Sequence, residues 1–201
     1  MKLKSIIIIW ALLSMGFAPA QEWSRYISNN KRERDKIETR ATVSGHGQER
    51  RIQGGSVVRA TWVTEAVARV KVSRIIDEER LNNEQAEKEF ELLRPLNEYR
   101  FYVTLYSDSY PDPLNRNGLF LQRAQDRKAF ARGKATGGNY IGGDGFWNTY
   151  FYNITIPKTA EDGQPIVRNL NDEVELSLAA PGGPVIVKYK IKDLVTRLED
   201  L

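Results

Sequence analysis

Over residues 185–192 the chain reads VIVKYKIK, and this alternation limits what it can fold into. Val185, Val187, Tyr189 and Ile191 recur at every second position against Ile186, Lys188, Lys190 and Lys192. Successive side chains of an extended strand point to opposite faces, so the pattern predicts a half-buried strand with its lysines in water. Val174, Leu176 and Leu178 alternate in the same way with Glu173, Glu175 and Ser177, and Ala180-Pro181-Gly182-Gly183-Pro184 joins the two runs. The pair reads as an antiparallel hairpin whose outward glutamates and lysines oppose one another across strands.

The same period recurs upstream. Ala68, Val70 and Val72 alternate with Arg69, Lys71 and Ser73, and Phe101, Val103 and Leu105 alternate with Arg100, Tyr102, Thr104 and Tyr106. Ile37 to Val43 and Ser56 to Val63 also read as extended, with Gly45-His46-Gly47 turning the chain between them. Gly118 to Gly133 fits a hairpin turning at Asp126-Arg127-Lys128 or a short amphipathic helix, and the bracketing glycines and neighbouring strands favour the hairpin. Only Asn83 to Arg94 breaks the rule: Ala86, Phe90 and Leu93 fall at helical spacing among charged residues, and Pro95 follows, so one short surface helix is expected there. Strands every ten to fifteen residues with turn residues between them predict an all-β chain, an antiparallel two-layer β-sandwich of Ig-like or jelly-roll-like type.

The N-terminal end carries a different message. Met1-Lys2-Leu3-Lys4 is followed by an apolar run from Ile6 to Phe17 and then by Ala18-Pro19-Ala20. A basic head, a hydrophobic middle and small residues at the end make a secretory signal peptide, cleaved after Ala20, and the run is shorter than the roughly 20 residues a membrane span needs. The chain is therefore divided into a signal peptide over 1–20, a polar, mobile lead over 21–35 and a single sandwich domain over 36–201, and is expected in the periplasm or outside the cell. It contains no cysteine, so neither a lipid-bearing thiol nor a disulfide is available and a packed core must hold the fold.

Charge narrows the partners. Thirty basic residues stand against twenty-six acidic ones, and their signs are interspersed, as in KRERDKIETR from Lys31 to Arg40. A nucleic-acid binder concentrates its basic residues in a stripe, so nucleic acid is not an expected partner and the run reads as a solvated charged face.

The strongest chemical signal is TGGNYIGGDGFWNTYFYNITI, Thr136 to Ile156. A phosphate cradle needs its glycines to open into a helix, whose free amides face the anion. Here they lead into an extended aromatic run without a G-K-[ST] triplet, which removes that reading. Period two puts Phe146, Asn148, Tyr150, Tyr152, Ile154 and Ile156 on one face and Trp147, Thr149, Phe151, Asn153 and Thr155 on the other. One face must enter the core. If the second is open, Trp147 and Phe151 offer flat rings to a sugar, with Asn153 and Asn139 as hydrogen-bonding partners and Tyr102 and Tyr106 extending the surface. The alternative is a strand buried on both sides.

Other chemistries find less support. SDSYPDPLNRNG, Ser107 to Gly118, places Pro113 and Ala124 where a calcium loop requires acidic ligands, so Asp108, Asp112, Asn115 and Asn117 read as turn formers. Zinc would have to manage with one histidine and no thiol. His46 is the chain's only imidazole, and no G-x-S-x-G elbow accompanies it. Neither a metal nor any other cofactor is expected. A glycosidase needs only two carboxylates, and Asp144, alone among the acidic residues in lying beside the aromatic run, would be the acid or base. The leading expectation is an exported, non-catalytic sandwich that binds a protein or a cell-envelope glycan. The alternatives are a secreted polysaccharide hydrolase and a structural or assembly component of the envelope.

Overall fold

The structure, a computed structural model, describes residues 31–46, 56–94, 96–108, 113–127, 129–143 and 148–201, with the backbone alone at His46. In chain order it contains helix α1 (Lys31–Ala41), strands β1 (Thr42–His46) and β2 (Val57–Trp62), and helices α2 (Glu65–Glu79) and α3 (Asn83–Leu93). Strands β3 (Glu98–Ser107), β4 (Asn115–Arg123), β5 (Phe130–Arg132), β6 (Lys134–Gly143), β7 (Asn148–Pro157), β8 (Glu173–Ala180) and β9 (Gly183–Lys190) follow, then a single turn of helix, α4 (Ile191–Leu194). The described strands form two antiparallel sheets, one ordered β1-β2-β3-β7-β6 and the other β5-β4-β8-β9.

Alternation builds the core between the sheets. Val58, Ala60 and Trp62 of β2, Phe101, Val103 and Leu105 of β3, and Tyr150, Tyr152 and Ile154 of β7 point inward from the first sheet. Leu119 and Leu121 of β4, Val174, Leu176 and Leu178 of β8, and Val185, Val187 and Tyr189 of β9 meet them from the second. Each large apolar side chain so buried is worth about 1.5–3 kcal/mol. An aromatic knot sits between the layers: the Trp62 ring lies 5.0 Å from Tyr99, 4.9 Å from Phe101 and 5.2 Å from Tyr189. The Tyr189 hydroxyl donates to the Ala60 carbonyl at 2.8 Å, tying β9 to β2 across the core.

The fold is thus mostly β, two stacked antiparallel sheets, as the alternation predicts. The β8–β9 hairpin holds the expected register, with Glu175 opposite Lys188 and Glu173 opposite Lys190. Their ion pairs measure 2.9 and 3.8 Å. The β4–β5 hairpin also forms, and α3 starts at a capping box in which Asn82 and Gln85 satisfy each other's backbone amides.

Three expectations fail. Residues 68–73, read as a strand, lie inside α2, and Ile37 to Ala41, read as extended, belong to α1, so helix is not confined to one short segment. Helix α2 is the middle of three, packed by α1 on one side and α3 on another. Its buried residues Val67, Ala68, Val70, Val72 and Ser73 therefore spread around the axis instead of forming one stripe, and a six-residue window of them mimics period two. The Thr64 side chain, which accepts from the Val67 amide, marks the true start. Helix α1 has almost no apolar face; it is held on α2 by Ile37, Ala41 and ion pairs. Separately from these, residues 31–35 of the lead expected over 21–35 begin α1, and residues 1–30 lie outside the described part. Finally, Gly45 and His46 pair with Val58 and Val57 in β1 instead of turning the chain.

Where β5 runs into β6 the chain passes from one sheet to the other at Gly133. A Cβ there would stand 2.5 Å from Leu119 Cδ2 and 2.9 Å from Ile156 Cγ1. Gly133→Val is expected to lower unfolding free energy by about 1–3 kcal/mol through overpacking, measured by urea denaturation. A second expectation concerns alkaline pH. Burial pushes the Tyr189 hydroxyl well above the usual phenol range and Tyr99 up to about 12. Unfolded tyrosines ionise near pH 10, so from about pH 10 to 12 the unfolded state gives up protons that the folded state keeps, and stability falls as pH rises. Tyr189→Phe should make that fall shallower in denaturant titrations, while costing about 1 kcal/mol at neutral pH for the lost hydrogen bond.

Candidate functional site

The outward residues of the first sheet include Arg59 and Thr61 on β2, Tyr102, Thr104 and Tyr106 on β3, and Phe151, Asn153 and Thr155 on β7. Antiparallel register sets Arg59 opposite Thr104, Thr61 opposite Tyr102, Thr104 opposite Phe151 and Tyr102 opposite Asn153. Helices α1, α2 and α3 cover part of this face through their own small core of Val63, Val67, Ala68, Val72, Ala86 and Phe90, against which Tyr102 also packs. Between the helices and the uncovered sheet lies a cleft with two lobes.

The first lobe, about 430 Å³, is lined by Asp35, Glu38 and Thr39 of α1, Thr42, Arg59, Thr61, Thr104 and Tyr106 of the strands, and Lys71 and Arg74 of α2. The second, about 630 Å³, is lined by Ile75, Leu93, Arg100, Thr136, Asn153 and Thr155. Lys71, Arg74, Tyr102 and Phe151 border both lobes. The Tyr102 and Phe151 rings stack with centroids 6.0 Å apart and planes 23° from parallel. The Lys71 ammonium sits 4.0 Å from the centre of the Tyr102 ring. A cation over the negative face of a stacked ring pair fixes all three side chains, and these form the partition of the cleft.

Its electrostatics are set by pairing. Arg74 donates to both carboxylate oxygens of Glu38, at 3.0 and 2.7 Å, and to Asp35 at 3.4 Å. The fork geometry uses both guanidinium ends and joins α1 to α2 across the mouth. Arg34 and Asp77 make a second link at 2.5 Å. Burial draws the Lys71 pKa below its ordinary value; Glu38 opposes that shift and Arg74 adds to it. Burial raises the Tyr102 hydroxyl, and the charge and hydrogen bond of Arg100 pull the other way. Arg100 in turn donates to the Leu92 and Leu93 carbonyls at the end of α3. On the floor, the Thr42 and Thr61 hydroxyls bond to each other at 2.8 Å. The Asn153 Oδ1 is enclosed with no donor within reach.

Four of the residues singled out from sequence, Tyr102, Tyr106, Phe151 and Asn153, thus come together in one concave site. Asn139 stands opposite Phe151 on the edge strand β6, exposed and outside the lining of the two lobes. Trp147 and Asp144 lie outside the described residues. Sequence reasoning missed Arg59, Lys71, Arg74 and Arg100. Arg59 was within reach, since Val58, Ala60 and Trp62 take the inner face of the same strand. Lys71 and Arg74 required the helical reading of residues 65–79. Among the described residues no three histidine, aspartate or glutamate side chains are placed to share a metal ion, and no helix is long and apolar enough to cross a membrane.

Arg74→Met should leave the sandwich folded but lower stability by about 1 kcal/mol, since the pair is partly open to solvent. Amide hydrogen exchange is expected to rise first in α1, whose hold on α2 is largely ionic.

No family model matches the chain, and no curated protein does. Among solved structures, the chain is similar to a protein of unknown function from Burkholderia pseudomallei. The two share 11% identity, the match covers 86% of this chain and 90% of that one, and the TM-score is 0.48.

Proposed function

We propose that the chain is an exported, non-catalytic binding protein that takes a cell-envelope glycan into the cleft between its helices and the outer face of the first sheet. The observation that carries this reading is the stacked pair Tyr102–Phe151 at the partition of a two-lobed cleft. Sugars present flat, weakly polar C–H faces ringed by hydroxyls. Ring faces flanked by Thr39, Thr61, Thr104, Thr136, Thr155 and Asn153 complement both features. The concavity favours a chain of small units over a flat protein surface. The sandwich would be used as Ig-like and jelly-roll-like domains often are, with one sheet face presenting the site. Export rests on the basic head, the apolar run and the Ala18-Pro19-Ala20 end of the leader, with a periplasmic or extracellular destination.

Binding is favoured over hydrolysis by the partners of the carboxylates. Asp35 and Glu38, the two acidic residues lining the cleft, both accept from Arg74. Both are taken up in joining α1 to α2, whereas glycoside hydrolysis needs a carboxyl group free to reach the scissile bond.

The test is calorimetric binding of soluble envelope-glycan fragments. Phe151→Ala and Tyr102→Ala are each expected to weaken binding about tenfold or more while the protein stays folded, as stacked aromatic contacts and their buried area require. Asp144→Asn should leave affinity unchanged. Glycan turnover abolished by Asp144→Asn would establish the hydrolase instead, and a stable oligomer that binds no glycan would point to an assembly component.

A further inference from the structure

We propose that the glycan is anionic, its carboxylate or phosphate groups being held by Lys71 and Arg59 while its sugar rings run along Tyr102 and Phe151. This rests on the glycan reading above and names the class of glycan. Its basis is the unfinished hydrogen bonding of the two cations in the first lobe. The half-buried Lys71 ammonium carries three donors, yet among the described residues it meets only the Tyr102 ring and has no hydrogen-bond acceptor. The carboxylate nearest in charge, Glu38, already gives both oxygens to Arg74. Arg59 projects from β2 into the same lobe and has no carboxylate partner among the described residues. Arg34 and Arg74, on the neighbouring helices, do have theirs.

An ammonium partly withdrawn from water with its donors unused is costly, and an incoming oxyanion offsets that cost. Around the whole cleft, Arg59, Lys71, Arg74 and Arg100 stand against Asp35 and Glu38, so the field inside favours negative charge. The second lobe has no carboxylate in its lining, and its Thr136 and Thr155 side chains suit a sugar. An anionic group beside Lys71 with rings to either side of the partition therefore fits a charged oligosaccharide better than an isolated ion. The ring pair would have no role in holding an ion alone.

The experiment titrates the purified protein with three probes: an oligogalacturonate, the same oligosaccharide with its carboxylates reduced to alcohols, and a phosphorylated oligosaccharide. At least one charged probe should bind about tenfold or more tightly than the reduced one, and whichever does identifies carboxylate or phosphate as the group recognised. Lys71→Met and Arg59→Gln should each erase most of that preference, and Lys71→Arg should keep it. Arg59 is exposed, so its variant tests the idea even if Lys71→Met fails to fold. Equal binding of charged and reduced probes, with the variants within about twofold of the parent, overturns the anionic assignment and leaves a neutral-glycan module. Binding of none of the three by the folded protein brings down the glycan reading and this inference together.

Discussion

Strand β7 carries large side chains on both faces, and a strand of that kind inside a sheet has to be covered twice. Inward, Tyr150, Tyr152 and Ile154 meet the second sheet in a close-packed core. Outward, Phe151 stacks on Tyr102 of the neighbouring strand, and that pair cannot remain an open apolar patch without cost. The three helices answer this in part. They pack their own core against Tyr102 and stop short of the sheet's full width, and the remaining gap is the cleft. The sandwich core and the candidate site are consequences of one two-faced ladder, β3 against β7.

What the helices bring to that gap is charge. Helix α1 contributes carboxylates and α2 contributes Lys71 and Arg74, and Arg74 spends its charge on joining the helices together. Lys71 is left with an aromatic ring for company. A site of this kind is preorganised, because its rings and cation hold one another in place before a ligand arrives, so little side-chain freedom remains to be lost on binding. Exposed pairs elsewhere, such as Lys190 with Glu173, contribute little to stability by comparison. Lys71, beside the stacked rings and with no carboxylate partner among the described residues, marks this face.

Much of the sheet structure was legible in the chain. The alternation in β3, β7, β8 and β9 assigned each residue to its face, and the outward set of β3 and β7 already contained Tyr102, Tyr106, Phe151 and Asn153. The helical layer was not legible in the same way. In α2 the apolar residues are spread by neighbours on several sides, so Ala68, Val70 and Val72 looked like a strand. In α1 the stabilising partners are Asp77 and Arg74, distant in sequence, and KRERDKIETR on its own looks like a solvated run. The helical part of the cleft wall was invisible for that reason.

The sequence by itself determined which side chains of each strand face the core, because inward and outward positions alternate at a spacing of two residues and need no knowledge of the partner strand. It also determined that a cysteine-free chain must rely on packing. Only the tertiary structure decided that residues 65–79 coil into a helix, that α1 is held to it by guanidinium–carboxylate pairs, and that Lys71 comes to rest over Tyr102. Those outcomes depend on which surfaces meet, and contacts between segments far apart along the chain leave no fixed period in the sequence to announce them.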